Sequence, residues 1–306
     1  MFILAYLLTK DDRSIQRFIG IYVIITLTLI LAAALAFLSN DFSIMQALRM
    51  NLVIPQRLSF WANNPNQLSF AILPLPLLIV GLHKSDHFSW RQASLLFLTL
   101  AICFFIGLIM HSDALFLAWV AAIAAMAVMH YSRRSNLASW KLLIVVCALL
   151  FAFGSFKAYT SHAIAQAYSD SPFGVGMGEN KLSIRGQLWD RAFDVWMQSP
   201  VIGHGPGAFS WMGEPSKFAE AHNTMIDIVT QSGLVGVAMC ILVCWTLTLR
   251  AWRTRNSTAL ALLAGVLMFS MAHFVMRQPI FWFYLVLCYM ITRSSIITPT
   301  NIAQPE

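Results

Sequence analysis

Apolar positions in this chain run together in blocks about as long as a bilayer is thick, separated by short polar turns. A helix that crosses a membrane needs about 20 mostly apolar residues, with a range of about 17 to 25. The pattern predicts eight such helices: Phe18–Leu38, Leu68–Leu82, Ala93–Met110, Ala114–Tyr131, Lys141–Phe156, Asn223–Leu249, Ser257–Met276 and Pro279–Ile291, the second and last being short. Pro74 and Pro76 fall inside the second block and predict a kinked or broken helix there. Met1–Leu8 is apolar but too short to span, and no signal-peptide pattern follows it. It reads as the inner end of an upstream helix or as an interfacial segment. Ser294–Glu306 is polar and expected to be disordered. The predicted fold class is all-α: a polytopic membrane helix bundle of about eight spans with one long, partly helical external loop. Membrane helices fill residues 1–157, the loop residues 158–221, and further membrane helices with a short tail residues 222–306.

Composition agrees with the pattern. Of 306 residues, 58% are hydrophobic and 11% are charged, against about 25% charged in soluble domains. That excludes a soluble enzyme, a nucleic-acid-binding domain and a disordered protein. The net charge of +7 gains its meaning from where the basic residues fall. With Lys10–Arg17 on the cytoplasmic side, 12 of the 20 basic residues lie in cytoplasmic segments, and the short outer loops hold only Arg49, Arg57 and Arg277. Lys and Arg crowd into cytoplasmic loops of membrane proteins, whereas long loops escape the rule. The charge is therefore a topology signal, and no nucleic-acid partner is needed to explain it. All five cysteines lie inside apolar runs without neighbouring ligands, which makes them packing residues rather than a metal site. The histidines other than His222 likewise lack metal-ligand spacing, and no metal is expected.

Ala158–Ala221 is different in kind. It holds 8 of the 15 glycines and 6 of the 13 acids, with Trp189, Trp196 and Trp211. Loops this long are functional or disordered, and the tryptophans argue for order. Within it, Ser183–Gln198 is expected to form an amphipathic helix capped by Ser183, with Leu188, Trp189, Ala192, Phe193 and Trp196 as its apolar stripe and Pro200 barring its continuation. Arg185 and Trp189 share a face; Arg191 points elsewhere. The turn Gly203-His204-Gly205-Pro206-Gly207 follows. This layer is expected to lie on the outer surface, where a lipid-borne substrate presents its polar head.

The most specific pattern is His222-Asn223, nine residues, then Gly233-Leu234-Val235-Gly236. Upstream stand Arg185-Gly186-Gln187-Leu188-Trp189 and Pro200-Val201-Ile202-Gly203-His204-Gly205-Pro206-Gly207, and further upstream Asn64-Pro65-Asn66-Gln67-Leu68 before the proline-kinked helix. In these features, over about residues 58–250, the chain resembles the O-antigen ligase and O-antigen polymerase superfamily of bacterial envelope glycan enzymes. The resemblance implies an inner-membrane protein with its active site facing the periplasm. It further implies transfer of a glycan from an undecaprenyl-diphosphate carrier to an acceptor, a glycan or lipid A core sugar, without metal or other cofactor.

Physical chemistry gives the residues roles in such a reaction. His222, at the outer start of a helix, would take the acceptor's hydroxyl proton, and Arg185 would hold the diphosphate with its planar donors. Arg191, Asn223, Asn66 and Asp113 are the candidates for substrate binding. Arg191 is open between that role and an ion pair with Asp190 or Asp194. Gly233 and Gly236 would let a neighbouring helix come close. Relatives carry a Ser-Arg pair upstream of the loop where this chain has Ser112-Asp113, which leaves Arg191 or Arg277 to complete a two-arginine clamp. On the resemblance, the chain is also about three or four helices shorter at its start than typical relatives, so a truncated copy is the expectation.

Taken alone, a histidine at a helix start is a solvated cap; the whole motif shifts the reading to catalysis. A repeat-unit polymerase would use the same chemistry as a ligase. A transporter or glycolipid flippase would instead need charge near the bilayer midplane and paired repeats, and the polar residues here gather on one external loop.

Overall fold

The computed structural model of the protein describes residues 12–39, 52–53, 57–58, 65–82, 90–110, 112–132, 179–208 and 223–293. Helices dominate them: α1 (Asp12–Ser39), α2 (Pro65–Ile72), α3 (Pro74–Leu82), α4 (Trp90–Met110), α5 (Asp113–Ser132), α6 (Glu179–Gln198), α7 (Thr224–Arg253), α8 (Ser257–Ser270) and α9 (Pro279–Arg293). An antiparallel pair of two-residue strands, β1 (Leu52–Val53) and β2 (Arg57–Leu58), sets Leu52 opposite Leu58; the apolar blocks gave no hint of it. Lys141–Phe156 and the two chain ends lie outside the described residues.

Two of these helices, α5 and α7, are long and apolar enough to cross a membrane, and apolar stretches of 10–17 residues occupy α1, α2–α3, α4, α8 and α9. Only 11% of the most apolar window of α7 is buried against protein, compared with 44% for α5. The core helix of a soluble protein would be mostly covered. Instead α7 turns large apolar side chains such as Met239, Leu242 and Trp245 outward, a surface suited to lipid.

The described helices fall into two compact units, with α7 passing from one to the other after Thr246. In the first, α2 and α3 form the axis. Phe70, Ile72, Leu73, Leu75 and Leu78 are all buried there. The prolines do break the helix, because Pro74 has no N–H to give to the Phe70 carbonyl. The Tyr284 hydroxyl of α9, itself fully buried, donates to that carbonyl at 2.9 Å and lies 3.1 Å from the Ala71 carbonyl, which Tyr22 of α1 also reaches at 3.2 Å. The neighbouring Leu73 carbonyl takes the Trp119 indole N–H of α5 at 3.1 Å. Phe70 stacks on Phe269 of α8 with ring centroids 4.9 Å apart. Gly265 of α8 sits against the Ala118 backbone and Ala122 of α5, the close approach that small residues permit between membrane helices.

One end of this unit is basic. Arg255 donates to Ser132 at the end of α5 (3.2 Å), and Arg250 donates to Thr292 (2.9 Å) while stacking over Tyr289, both on α9. Asn256 caps α8 by accepting from Ala259 N–H and ties it to α9 by donating to the Ile291 carbonyl. The carboxyl ends of α5, α7 and α9 thus share one end with the start of α8.

Candidate functional site

The second unit contains α6, the turn after it, the upper part of α7 and the short segment after α8. At the head of α7, Asn223 is the cap. Its side-chain oxygen accepts the N–H groups of Met225 (2.9 Å) and Ile226 (3.3 Å), two of the donors that a helix start leaves orphaned. Its amide nitrogen donates to the Met271 carbonyl at 3.1 Å. Thr224 does a similar double duty, donating to the His273 carbonyl at 2.6 Å and accepting from Val275 N–H at 3.1 Å. These bonds explain why the apolar block Ser257–Met276 is not one helix. It stops at Ser270, and the backbone from 271 to 275 pairs with Asn223 and Thr224 instead. On the same segment the Arg277 guanidinium lies 4.7 Å over the ring of Phe274, which is itself buried.

Beside the head of α7 packs α6. It begins at Glu179, four residues before the expected cap, so Ser183 lies within the helix. Ala192 is fully buried against Leu188 and Ile226, and Val195 is buried beyond it. The expected apolar stripe therefore divides. Leu188, Ala192 and Val195 turn inward, while Trp189 and Phe193 are exposed. Arg191 is half-buried, and Asp190 and Asp194 are exposed. Arg185 stands on the same helix one turn before Trp189.

The turn that ends α6 is bolted into a break in α7. At Gly233 the backbone leaves helical geometry, with φ 60° and ψ −159°. The carbonyls this frees on the upper half, Thr230 and Gln231, accept the N–H groups of His204 (3.0 Å) and Gly205 (2.8 Å). The N–H groups freed on the lower half, Leu234 and Val235, donate to the carbonyls of Pro200 (2.9 Å) and Val201 (3.1 Å). Every backbone group at the break so named has a partner, as buried backbone requires. Gly233 and Gly203 are dictated by this fit. Both have positive φ, and a Cβ on either would fall on the backbone of the other segment, at Val201 or Gln231. The turn is braced from α6 as well. His204 Nε2 lies 2.8 Å from the Val195 carbonyl, Trp196 Nε1 donates to the Pro200 carbonyl (3.0 Å), and Ser199 Oγ donates to the Gly203 carbonyl (2.9 Å). The glycine role expected from sequence is thus corrected. Gly233 admits a loop rather than a helix, and the nearest neighbours of Gly236 are Ser232 and Ile228 of its own helix.

Of the residues singled out from sequence, Arg185, Arg191 and Asn223 belong to this unit, the two arginines on α6 and Asn223 at the head of α7. His222 lies outside the described residues and directly precedes the pinned Asn223. Asn66, in the first turn of α2, and Asp113, exposed as the first residue of α5, belong to the other unit. Before Asp113, Ser112 is buried, and its carbonyl accepts the N–H groups of Leu115 and Phe116. An acid in the first turn suits the helix dipole there. Among the described residues no three His, Cys, Asp or Glu side chains come together. Sequence reasoning missed Thr224, whose signal was a second capping residue directly after Asn223. His204 lies in the turn expected for it, but the pairing of that Gly-x-Gly turn with a distant Gly-x-x-Gly had no local sign.

Residues 98–241, a little under half of the chain, match the family described as O-Antigen ligase. That stretch takes in Asp113, Arg185, Arg191, His222, Asn223 and both glycine motifs, and leaves out Asn66. No curated protein matches the chain.

Proposed function

We propose, on the match of residues 98–241 to the family described as O-Antigen ligase, that this chain transfers a glycan from undecaprenyl diphosphate to an acceptor sugar hydroxyl. The reaction takes place at the periplasmic face of a bacterial inner membrane. The observation that carries this reading is the bolt between the turn at 200–205 and the break at Gly233. It ties the arginine-bearing α6 to the helix that follows His222 by four backbone bonds, and a site that aligns donor and acceptor needs such ties.

In this reading His222 accepts the proton of the acceptor hydroxyl as its oxygen attacks the anomeric carbon. The bond from that carbon to the diphosphate oxygen breaks, and undecaprenyl diphosphate leaves with the bonding pair. Arg185 stabilises the charge that gathers on the diphosphate. Arg277, held on the Phe274 ring on the segment that Asn223 and Thr224 pin, takes the place of the arginine that Asp113 lacks, with Arg191 as the further cation on α6. Asn223 acts by positioning His222, since its amide is engaged in the cap. The basic end at Arg250–Arg255 faces the cytoplasm, and the apolar blocks span the membrane about eight times. Lipid A core or another glycan is the acceptor.

The test is complementation of a deletion strain with this chain or its His222→Ala form, with carrier-linked and acceptor-linked glycans run separately. The wild type is expected to restore long acceptor-linked glycans, and His222→Ala to lower transfer by about 100-fold or more, the scale of a lost general base. Full complementation by His222→Ala sinks the assignment. In the deletion strain itself, long chains stranded on the carrier mean a ligase, and acceptors bearing single repeat units mean a polymerase.

A further inference from the structure

Around its axis α6 presents three faces. One is buried on α7 through Leu188, Ala192 and Val195. A second is polar and exposed, with Asp190 and Asp194. Between them, at a four-residue spacing that keeps side chains on one stripe, stand Trp189, Phe193 and Met197. All three are exposed, Phe193 by 57%. The stripe leads into the turn, where Ile202 is 72% exposed beside Val201. A water-facing helix would not place its largest apolar side chains on an open face. A helix lying in a membrane interface does, with protein, lipid and water each claiming one side.

The bolt sets the level of this stripe. Because Val201 pairs with Val235 and Pro200 with Leu234, the turn sits at the height of Gly233 on α7. From Gly233 to Arg253 the helix rises about 30 Å, the thickness of the hydrocarbon layer. Above the break, Thr224–Ser232 carries Asp227, Thr230, Gln231 and Ser232; below it, exposed apolar side chains begin with Leu234 and continue toward the basic end. On the membrane reading of α7 the outer limit of the acyl chains crosses the helix at the break, and the exposed Val201 and Ile202 stand beside the exposed Leu234 and Val235.

We propose that Trp189, Phe193 and Met197 of α6, with Val201 and Ile202 of its turn, dip into the acyl chains of the outer leaflet, so that α6 rides in the membrane interface at headgroup level. The proposal rests on the membrane reading of α7 and is independent of the transfer chemistry. If both hold, the stripe places the arginines of α6 at the height where a lipid-linked diphosphate lies.

The experiment uses this chain in liposomes with its five native cysteines replaced and a nitroxide attached through Phe193→Cys, Ile202→Cys or Asp194→Cys. Accessibility to oxygen, which concentrates among acyl chains, is compared with accessibility to a water-soluble nickel chelate. Labels at 193 and 202 are expected to favour oxygen several-fold over the label at 194, which should favour the chelate. Equal, chelate-favouring behaviour at all three positions overturns the proposal. So does an oxygen-favouring label at 202 alone, since α6 would then stand above the membrane or against another protein. A label-free check is quenching by lipids brominated on their acyl chains. Trp189→Phe is expected to remove part of the quenchable emission, and an unchanged quenchable fraction counts against the insertion.

Discussion

Asn223 shows how much one side chain does here. Its oxygen satisfies the start of α7 and its nitrogen holds the segment after α8, so cap and cross-link are separate halves of one amide. Serine caps a helix nearly as well as asparagine but has no amide to reach the Met271 carbonyl. Asn223→Ser is therefore expected to cost about 1 kcal/mol, the scale of one lost hydrogen bond, and Asn223→Ala about 1–3 kcal/mol with the cap gone as well. Thermal unfolding of the purified protein in detergent checks the order. Equal midpoints for wild type, serine and alanine forms would show that the amide holds nothing. The residue type at 223 was legible from sequence as part of a motif, but its partner, 48 positions away, was not.

At the scale of elements, the two broken helices are mended in different ways. The α2–α3 break at Pro74 is mended by side chains, the hydroxyls of Tyr284 and Tyr22. The α7 break at Gly233 is mended by backbone, with four bonds from one loop. The first break was predictable because proline lacks a donor wherever it stands. The second was not, because a glycine in an apolar helix looks the same whether it packs against a helix or admits a turn. Gly233→Ala is expected to destabilise the protein by about 1–3 kcal/mol or more, from the positive φ alone, and to lower transfer by separating α6 from α7. The control is Gly20→Ala, in α1 with open space around it, where alanine should be neutral or stabilising. A Gly233→Ala protein with wild-type stability and transfer would mean that the bolt bears no strain.

For the whole molecule, charge and hydrophobicity divide the work. Apolar blocks point to membrane helices, and in the proposed topology the arginine-rich end faces the cytoplasm. In the structure Arg250 and Arg255 also tie helix ends together, so the basic end is both a topology signal and a clasp. Reporter fusions give the check. An alkaline phosphatase joined after Arg255 should be inactive and one joined after Gln278 active, since the phosphatase folds only outside the cytoplasm. The reverse pattern would invert the bundle and move the head of α7 to the wrong side for a periplasmic transferase.

What the sequence determined by itself was set by local physics. Apolar length produced α4, α5, α7 and α9 within four residues of their expected bounds and α1 with a start six residues earlier, proline broke the axis, and the spacing of histidine, asparagine and glycines marked the head of α7. What only the tertiary structure decided depends on partners distant in the chain. The end of α8 at Ser270 is set by Asn223 and Thr224, the inward turn of Leu188, Ala192 and Val195 by the surface of α7, and the use of Gly233 by Val201. Helix and proline preferences are short-ranged and can be read from a window of residues. A freed backbone carbonyl will accept any donor that folding brings to it, and a window of residues does not say which one arrives.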